Sequence, residues 1–312
     1  MDGKNVCGGV VGQGRRRVKM GAVGVFGVAR GGGGCHSQGM PRFLQAILAR
    51  RELTAILVQR NLKIRYKGSA LGFLWSLLTP AAMILMYAVF AHILKFNTGD
   101  PMYLPFLVTG IVVWQFTAGS LNDSLAAIAG NANLVKKVSF PRVILPLSTA
   151  LANAVNFGLT FVVLAAYLAV SGALHPARIW LLVPAVVLHL ALVSGLACLV
   201  ATANVFYRDT EHIIGVGTLA WFFLSPVFYS LDLQLGALPG RLGALAFLNP
   251  MTGILALYRA ALMGQPLLPP AHAAFLPPAW GALAISAAVC AAALAAGLAA
   301  IRAGNRKFGD VL

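Results

Sequence analysis

Residues 59–90, QRNLKIRYKGSALGFLWSLLTPAAMILMYAVF, change character at Gly68. The first part carries Arg60, Lys63, Arg65 and Lys67, and after it the charges stop. Ala70 to Leu94 is a run of 25 residues without a formal charge. At about 1.5 Å per residue such a run makes about 37 Å of helix, enough to cross a hydrocarbon core about 30 Å thick with some tilt. Cations stacked against the start of an apolar span mark the cytosolic side. The sequence therefore predicts that the chain enters a membrane here, from the cytosol.

The rest of the composition agrees. Of 312 residues 59% are hydrophobic, and the mean hydropathy is +0.81. That excludes an ordinary soluble domain. The net charge of +16 is concentrated before Gly68 and in short loops, a distribution that fits positive-inside bias and not a nucleic-acid surface. Cys7 and Cys35 lie in the N-terminal tail and Cys198 and Cys290 inside apolar spans, so the four cysteines read as free thiols.

Residues 1–41 are rich in glycine and arginine and read as a disordered cytosolic tail. Gly21 to Ala29 is too diluted with glycine for the core of a signal peptide. Met40 is an alternative start. Residues 42–67 read as a helix, with Leu44, Ile47 and Leu48 and then Leu53, Ile56 and Leu57 at spacings of three and four between basic residues. A basic amphipathic helix ahead of a span lies in the cytosolic interface.

Six apolar stretches follow: Ala70–Leu94, Tyr103–Ile128, Ile144–Val170, Ile179–Val205, Ile213–Tyr229 and Trp280–Ile301. With the N-terminus inside, only Lys95, Arg178, Arg241 and Arg259 fall in outer segments, and every other Lys and Arg falls inside. This predicts a multi-pass protein with both termini cytosolic. Between spans five and six, Ser230 to Ala279 is too polar and proline-rich to cross. It contains one clear helix from Pro250 to Met263, with Asn249 as N-cap, Pro250 at the first position and Gly264 as terminator. At about 21 Å it is too short to span, so it is re-entrant or interfacial.

Neither a phosphate-binding loop nor a nucleophile elbow nor a zinc motif occurs, so an enzyme is not indicated and no cofactor is expected on this chain. Asp123, Asp209 and Glu211 fall near inner span ends, which argues against an ion-coupled secondary carrier. His92 and His189 are the histidines within spans, and a structural role is the default for both. Transport would then draw energy from a partner. Leu134, Val135, Lys136, Lys137, Val138, Phe140 and Arg142 put apolar and basic side chains on an inner loop, the makeup of either a docking surface or a plain cation-bearing loop. Arg208, Asp209 and Glu211 on the second inner loop read equally as docking residues or as a local ion pair. Tyr87, Phe90, Trp114, Phe116, Trp221, Phe222, Phe228, Tyr229 and Tyr258 read as rings lining a path or as packing and interface residues.

The stretch RNLKIRYKGSALGFLWSLLTP, with NLVKKVSFPRVILPL, resembles the ABC-2 type export permeases, and within them the group exporting polysaccharides and teichoic acids. The resemblance covers about Leu44 to Leu312. It implies an all-α integral membrane protein of the bacterial inner membrane, with six transmembrane helices, a cytosolic amphipathic interface helix at 42–67 and an ABC-2 transmembrane domain at 68–312. It implies paired gate helices between the last two spans. It implies that helix 42–67 packs near an ATPase and gates substrate access, and that the loop around Phe140 is the coupling segment. Two copies would form the pore and two copies of a separate ATPase, holding Mg-ATP, would drive it. The implied cargo is a lipid-linked glycan of O-antigen or capsule type; a smaller lipid or drug-like substrate is the alternative.

Overall fold

The structure is a computed structural model describing residues 50–69, 71, 74–93, 102–137, 140–236, 240–268, 279–305 and 307–311. The tail, the Met40 start and the first part of helix 42–67 lie outside the described residues. All regular structure among those described is helical. In chain order the helices are α1 (Arg51–Tyr66), α2 (Trp75–Ile93), α3 (Tyr103–Ala129), α4 (Ala132–Lys137), α5 (Ile144–Val170), α6 (Leu182–Phe206), α7 (Thr210–Leu224), α8 (Leu231–Gly236), α9 (Pro250–Met263), α10 (Ala279–Gly304) and α11 (Phe308–Val311). Tighter 3₁₀ turns, Pro176–Leu181 and Gly240–Leu248, precede α6 and α9.

Among the described residues four helical segments are long and apolar enough to cross a membrane: Tyr103–Ala129, Ile144–Val170, Pro176–Phe206 and Ala279–Gly304. The apolar stretches Leu77–Tyr87 in α2 and Thr210–Leu224 are shorter. The fifth stretch differs from the sequence reading. It starts earlier, at Thr210, and stops at Leu224 instead of reaching Tyr229. Pro226 explains the stop, because the residue before a proline is driven out of the helical region; Ser225 is extended.

Helix α6 is central, packed against α10, α3, α5 and α9. Helix α3 buries most of its length, whereas α5 turns much of its surface outward. One core lies among α3, α6, α9 and α10 around Trp114, Leu192, Leu255 and Tyr258. A second gathers Leu57, Ile128, Val135, Ile144, Val205, Ile301 and Phe308 at the end where α1, α4 and α11 meet the long helices. A third joins Ile84, Phe106, Leu164, Leu168 and Leu262 near the other end. Outside these cores, Leu85 and Met86 on α2, Val162 on α5, and Ile213, Val216, Leu219 and Phe223 on α7 are exposed apolar residues, as expected of faces turned to lipid or to another chain.

Helix α9 has the boundaries its sequence predicts. Asn249 Oδ1 accepts the Met251 N–H at 3.1 Å, Pro250 opens the helix, and Gly264 closes it in the left-handed region at φ 67°. Its setting removes the interfacial alternative. Every residue except Ala256 is buried, among α3, α6 and α10; a helix lying in the interface would keep one face outside.

Candidate functional site

Two groups of sequence-singled residues can now be placed, the inner loops and the aromatic residues. On α4, Val135 is buried, and Leu134 packs against the core beneath it, while Lys136 and Lys137 are exposed. Phe140 also packs against this core, and Val138 lies outside the described residues. The apolar side of this loop thus faces the chain's own helices, and the lysines face out. Arg142 donates to the Asn305 carbonyl and its guanidinium lies 5.7 Å from the centroid of the Phe308 ring, which stacks on Phe206 at 5.7 Å. A C-terminal residue that the sequence reading had not singled out therefore pins this loop to α6. Arg208, Asp209 and Glu211 are exposed at the α6–α7 junction, and no ion pair joins them.

The aromatic residues form two groups. In the first, Trp114 of α3 meets Trp221 edge-on at 5.5 Å and Phe222 at 5.6 Å, both on α7. Phe222 continues to Phe228 at 5.8 Å, and Phe228 to Tyr229 at 5.0 Å. The Trp221 indole N–H donates to Asn249 Oδ1 at 2.9 Å, and the Tyr229 hydroxyl donates to the Phe223 carbonyl. In the second group, Phe116 stacks on Phe157 at 4.9 Å, and His189 and Tyr258 close a box around them with Phe161. His189 is fully buried, its Nε2 2.8 Å from the Thr117 hydroxyl. Tyr87 is half-buried between two cores, and Phe90 is in α2. Phe157 and Phe161 escaped the sequence reading because a phenylalanine in an apolar span carries no signal of its own. Their separation by four residues, one helical turn, was the available hint.

Phe116, Phe157, Phe161 and Tyr258 of the second box line an apolar cavity of about 810 Å³ between α1, α5 and α6, together with Arg51, Thr54 and Gln59. A polar cavity of about 670 Å³ lies on the other side of α1, against α3 and α5. Here Arg65 Nη2 lies 2.8 Å from Asp123 Oδ2, Arg65 Nη1 donates to Asn153 Oδ1 at 3.1 Å, and Asn153 Nδ2 donates to Asp123 Oδ2 at 2.8 Å. On α1 itself Leu57 is buried but Ile56 is 61% exposed, so only part of the apolar stripe covers the bundle.

Arg259, an outer-segment cation by its place in the sequence, is only 4% exposed. Its Nη1 donates to the Pro226 carbonyl and its Nη2 to the Val227 carbonyl, each at 2.6 Å, and its guanidinium lies 3.3 Å from the centroid of the Phe106 ring. It ties α9 to the break after α7. A charge count treats a cation in a non-spanning segment as an interface residue and is blind to such burial.

A family model described as ABC-2 type transporter matches residues 52–263, from α1 to the end of α9. The chain belongs to the ABC-2 type transporter family. It is 34% identical over 223 residues to an O-antigen export system permease protein RfbA of Myxococcus xanthus, covering 71% of this chain and 84% of that one. To the RfbA of Klebsiella pneumoniae it is 30% identical over 214 residues, 68% of this chain and 80% of the other. The polysialic acid transport protein KpsM of Escherichia coli is 20% identical over 216 residues, 65% and 78% of the two chains. As an ABC-2 transporter chain with several apolar helices, it is a multi-pass membrane protein and a transport subunit.

Proposed function

We propose that this ABC-2 chain is the membrane-spanning half of an exporter that moves a lipid-linked polysaccharide from the cytosol across the bacterial inner membrane. The observation that carries the reading is its likeness to O-antigen export permeases along about four-fifths of their length. On this reading α2, α3, α5, α6, α7 and α10 are the six spans, with both termini cytosolic, and α9 is a re-entrant gate element. Two copies form the pore. Two copies of a separate ATPase, loaded with Mg-ATP, supply the energy, and the lysines of α4 with the Arg208–Glu211 junction meet that ATPase. The rings from Trp114 to Tyr229 offer flat apolar faces on which sugar rings can pack.

Depletion of the chain in its own cell tests the reading. Surface glycan should fall while the lipid-linked glycan builds up on the inner side; unchanged surface glycan, with no build-up, contradicts it.

A further inference from the structure

The apolar cavity of about 810 Å³ between α1, α5 and α6 is left open by the chain's own side chains. Each of the three helices gives it one face. Leu151, Ala154, Val155, Gly158 and Phe161 of α5 recur at helical spacing, as do Leu182, Val186 and Leu190 of α6. Leu151 is 40% and Val155 45% exposed, so the cavity is a groove open along one side. Gly158 keeps it open. A Cβ at that position would meet nothing within 4 Å. No neighbour therefore requires a glycine there, in a helix interior where glycine is less favourable than alanine. From Leu151 to Phe161 the lined stretch of α5 is about 15 Å long, the depth of one leaflet in a hydrocarbon core about 30 Å thick. The α1 face is different. Arg51, Thr54, Ala55, Val58 and Gln59 stand at spacings of three and four, so polar groups edge the groove at α1 while its walls are aliphatic and aromatic. Arg51 is exposed, and among the described residues no carboxylate pairs with it.

We infer that this groove seats one acyl chain of an anionic membrane phospholipid, with the lipid phosphate on Arg51 and the chain running along α5 and α6 to Phe157 and Phe161. Three observations select that occupant. The α5 and α6 walls are apolar, so a hydrocarbon chain loses no hydrogen bonds by entering. The length matches the chain of one leaflet. An unpaired cation stands at the polar end, where an arginine with its stem along apolar surface meets a headgroup phosphate. The bound chain fills the gap between α1 and the two spans, so it acts as packing that sets the distance of α1 from them. The inference needs only a chain that lies in a membrane, and it is independent of what the chain transports.

The test uses the full chain, washed free of lipid in mild detergent and returned to phosphatidylcholine nanodiscs. The probe is phosphatidylglycerol with a photoactivatable diazirine near the end of one acyl chain. Retained lipid is counted by native mass spectrometry, and cross-links are mapped on peptides. The wild-type chain should hold one phosphatidylglycerol in preference to phosphatidylcholine, with cross-links at residues 157–161 of α5 and on the facing side of α6. Arg51→Gln should lower that preference roughly fivefold, the worth of one cation at an anionic membrane surface, and leave the cross-links where they are. Gly158→Leu fills the groove from a position with room for a side chain. It should lose the lipid and the cross-links while unfolding no earlier than the lipid-free wild type. Val155→Phe, from an exposed position on the same face, is a second filling variant with the same expected loss. Equal retention of the two phospholipids by the wild type, or retention unchanged by Arg51→Gln and by both filling variants, overturns the inference. Stronger competition from a polyprenyl phosphate than from phosphatidylglycerol overturns it by giving the groove to a cargo lipid. A two-chain assembly that forms without lipid and is broken by Gly158→Leu overturns it by making the groove an interface between copies. Because no ATPase or export is involved, failure here leaves the surface-glycan result standing, and the reverse also holds.

Discussion

Arg259 shows what a single side chain does in this bundle. Its donors hold two carbonyls freed by the Ser225–Pro226 break, and its cation rests on Phe106. Gly110 makes room for it. A Cβ there would collide with the Val227 carbonyl oxygen and lie 2.6 Å from Arg259 Nη2, so α3 can approach only as glycine. Arg259→Met should destabilise the folded chain by about 2 kcal/mol or more, because the Pro226 and Val227 carbonyls lose their donor inside the bundle. Arg259→Lys should recover only part of this, since an ammonium lacks the planar fork that spans two carbonyls and the ring. Thermal unfolding of the detergent-solubilised protein, followed by tryptophan fluorescence, checks both; equal stability of the methionine and wild-type proteins would contradict the clamp. None of this was legible from sequence. A cation between two spans reads as a loop charge until the all-round burial of its helix is known, and burial is a property of neighbours distant in the chain.

At the scale of elements the sequence was far more readable, wherever the cause is local. The ends of α3 and α5 fall within a residue of the predicted apolar runs, because length and charge decide them. The caps of α9 follow from Asn249, Pro250 and Gly264. What local signals missed is that Asn249 also serves other elements. Its Oδ1 accepts the Trp221 indole N–H, and its Nδ2 donates to Ser225 Oγ at 2.9 Å and the Leu224 carbonyl at 3.2 Å. Asn249→Ala should therefore cost more than the roughly 1 kcal/mol of a lost cap, with about 1–3 kcal/mol added by the stranded indole donor. Asn249→Asp, which keeps both acceptor bonds, should lie between; unfolding temperatures of the three proteins give the order. The inner loop before α5 repeats the lesson. Its apolar residues attract attention as docking anchors, but Val135 and Phe140 pack against the chain's own core. Phe140→Ala would thus lower stability as well as any docking, and Lys136→Glu with Lys137→Glu is the cleaner probe. That pair should leave membrane insertion unchanged and weaken ATPase association, more at low salt than at high; recovery of the ATPase at wild-type level in low salt would exclude these lysines from the contact.

For the whole molecule, the positive-inside pattern and the helix order predict one orientation. Reporter fusions after Arg142 and after Arg302 should report cytosol, and a fusion near Gln265 should report the outer side; an outer signal after Arg142 would break the six-span account. The asymmetry does not depend on the buried Arg259, since Lys95, Arg178 and Arg241 alone would still be set against all the remaining loop and terminal charges. The membrane class was legible because solvent selects composition over the entire chain. The two aromatic groups, the polar cavity and the clamp on the α7 break were not, because each joins residues that only packing brings together. On the proposed function this chain moves its cargo only when joined to an ATPase. Affinity purification of the intact chain from its native membrane, followed by native mass spectrometry, checks this. The expected result is an assembly of two permease chains with two ATPase chains carrying a phosphate-binding loop. A permease recovered alone, and moving lipid-linked glycan in proteoliposomes under an ion gradient without ATP, would contradict it.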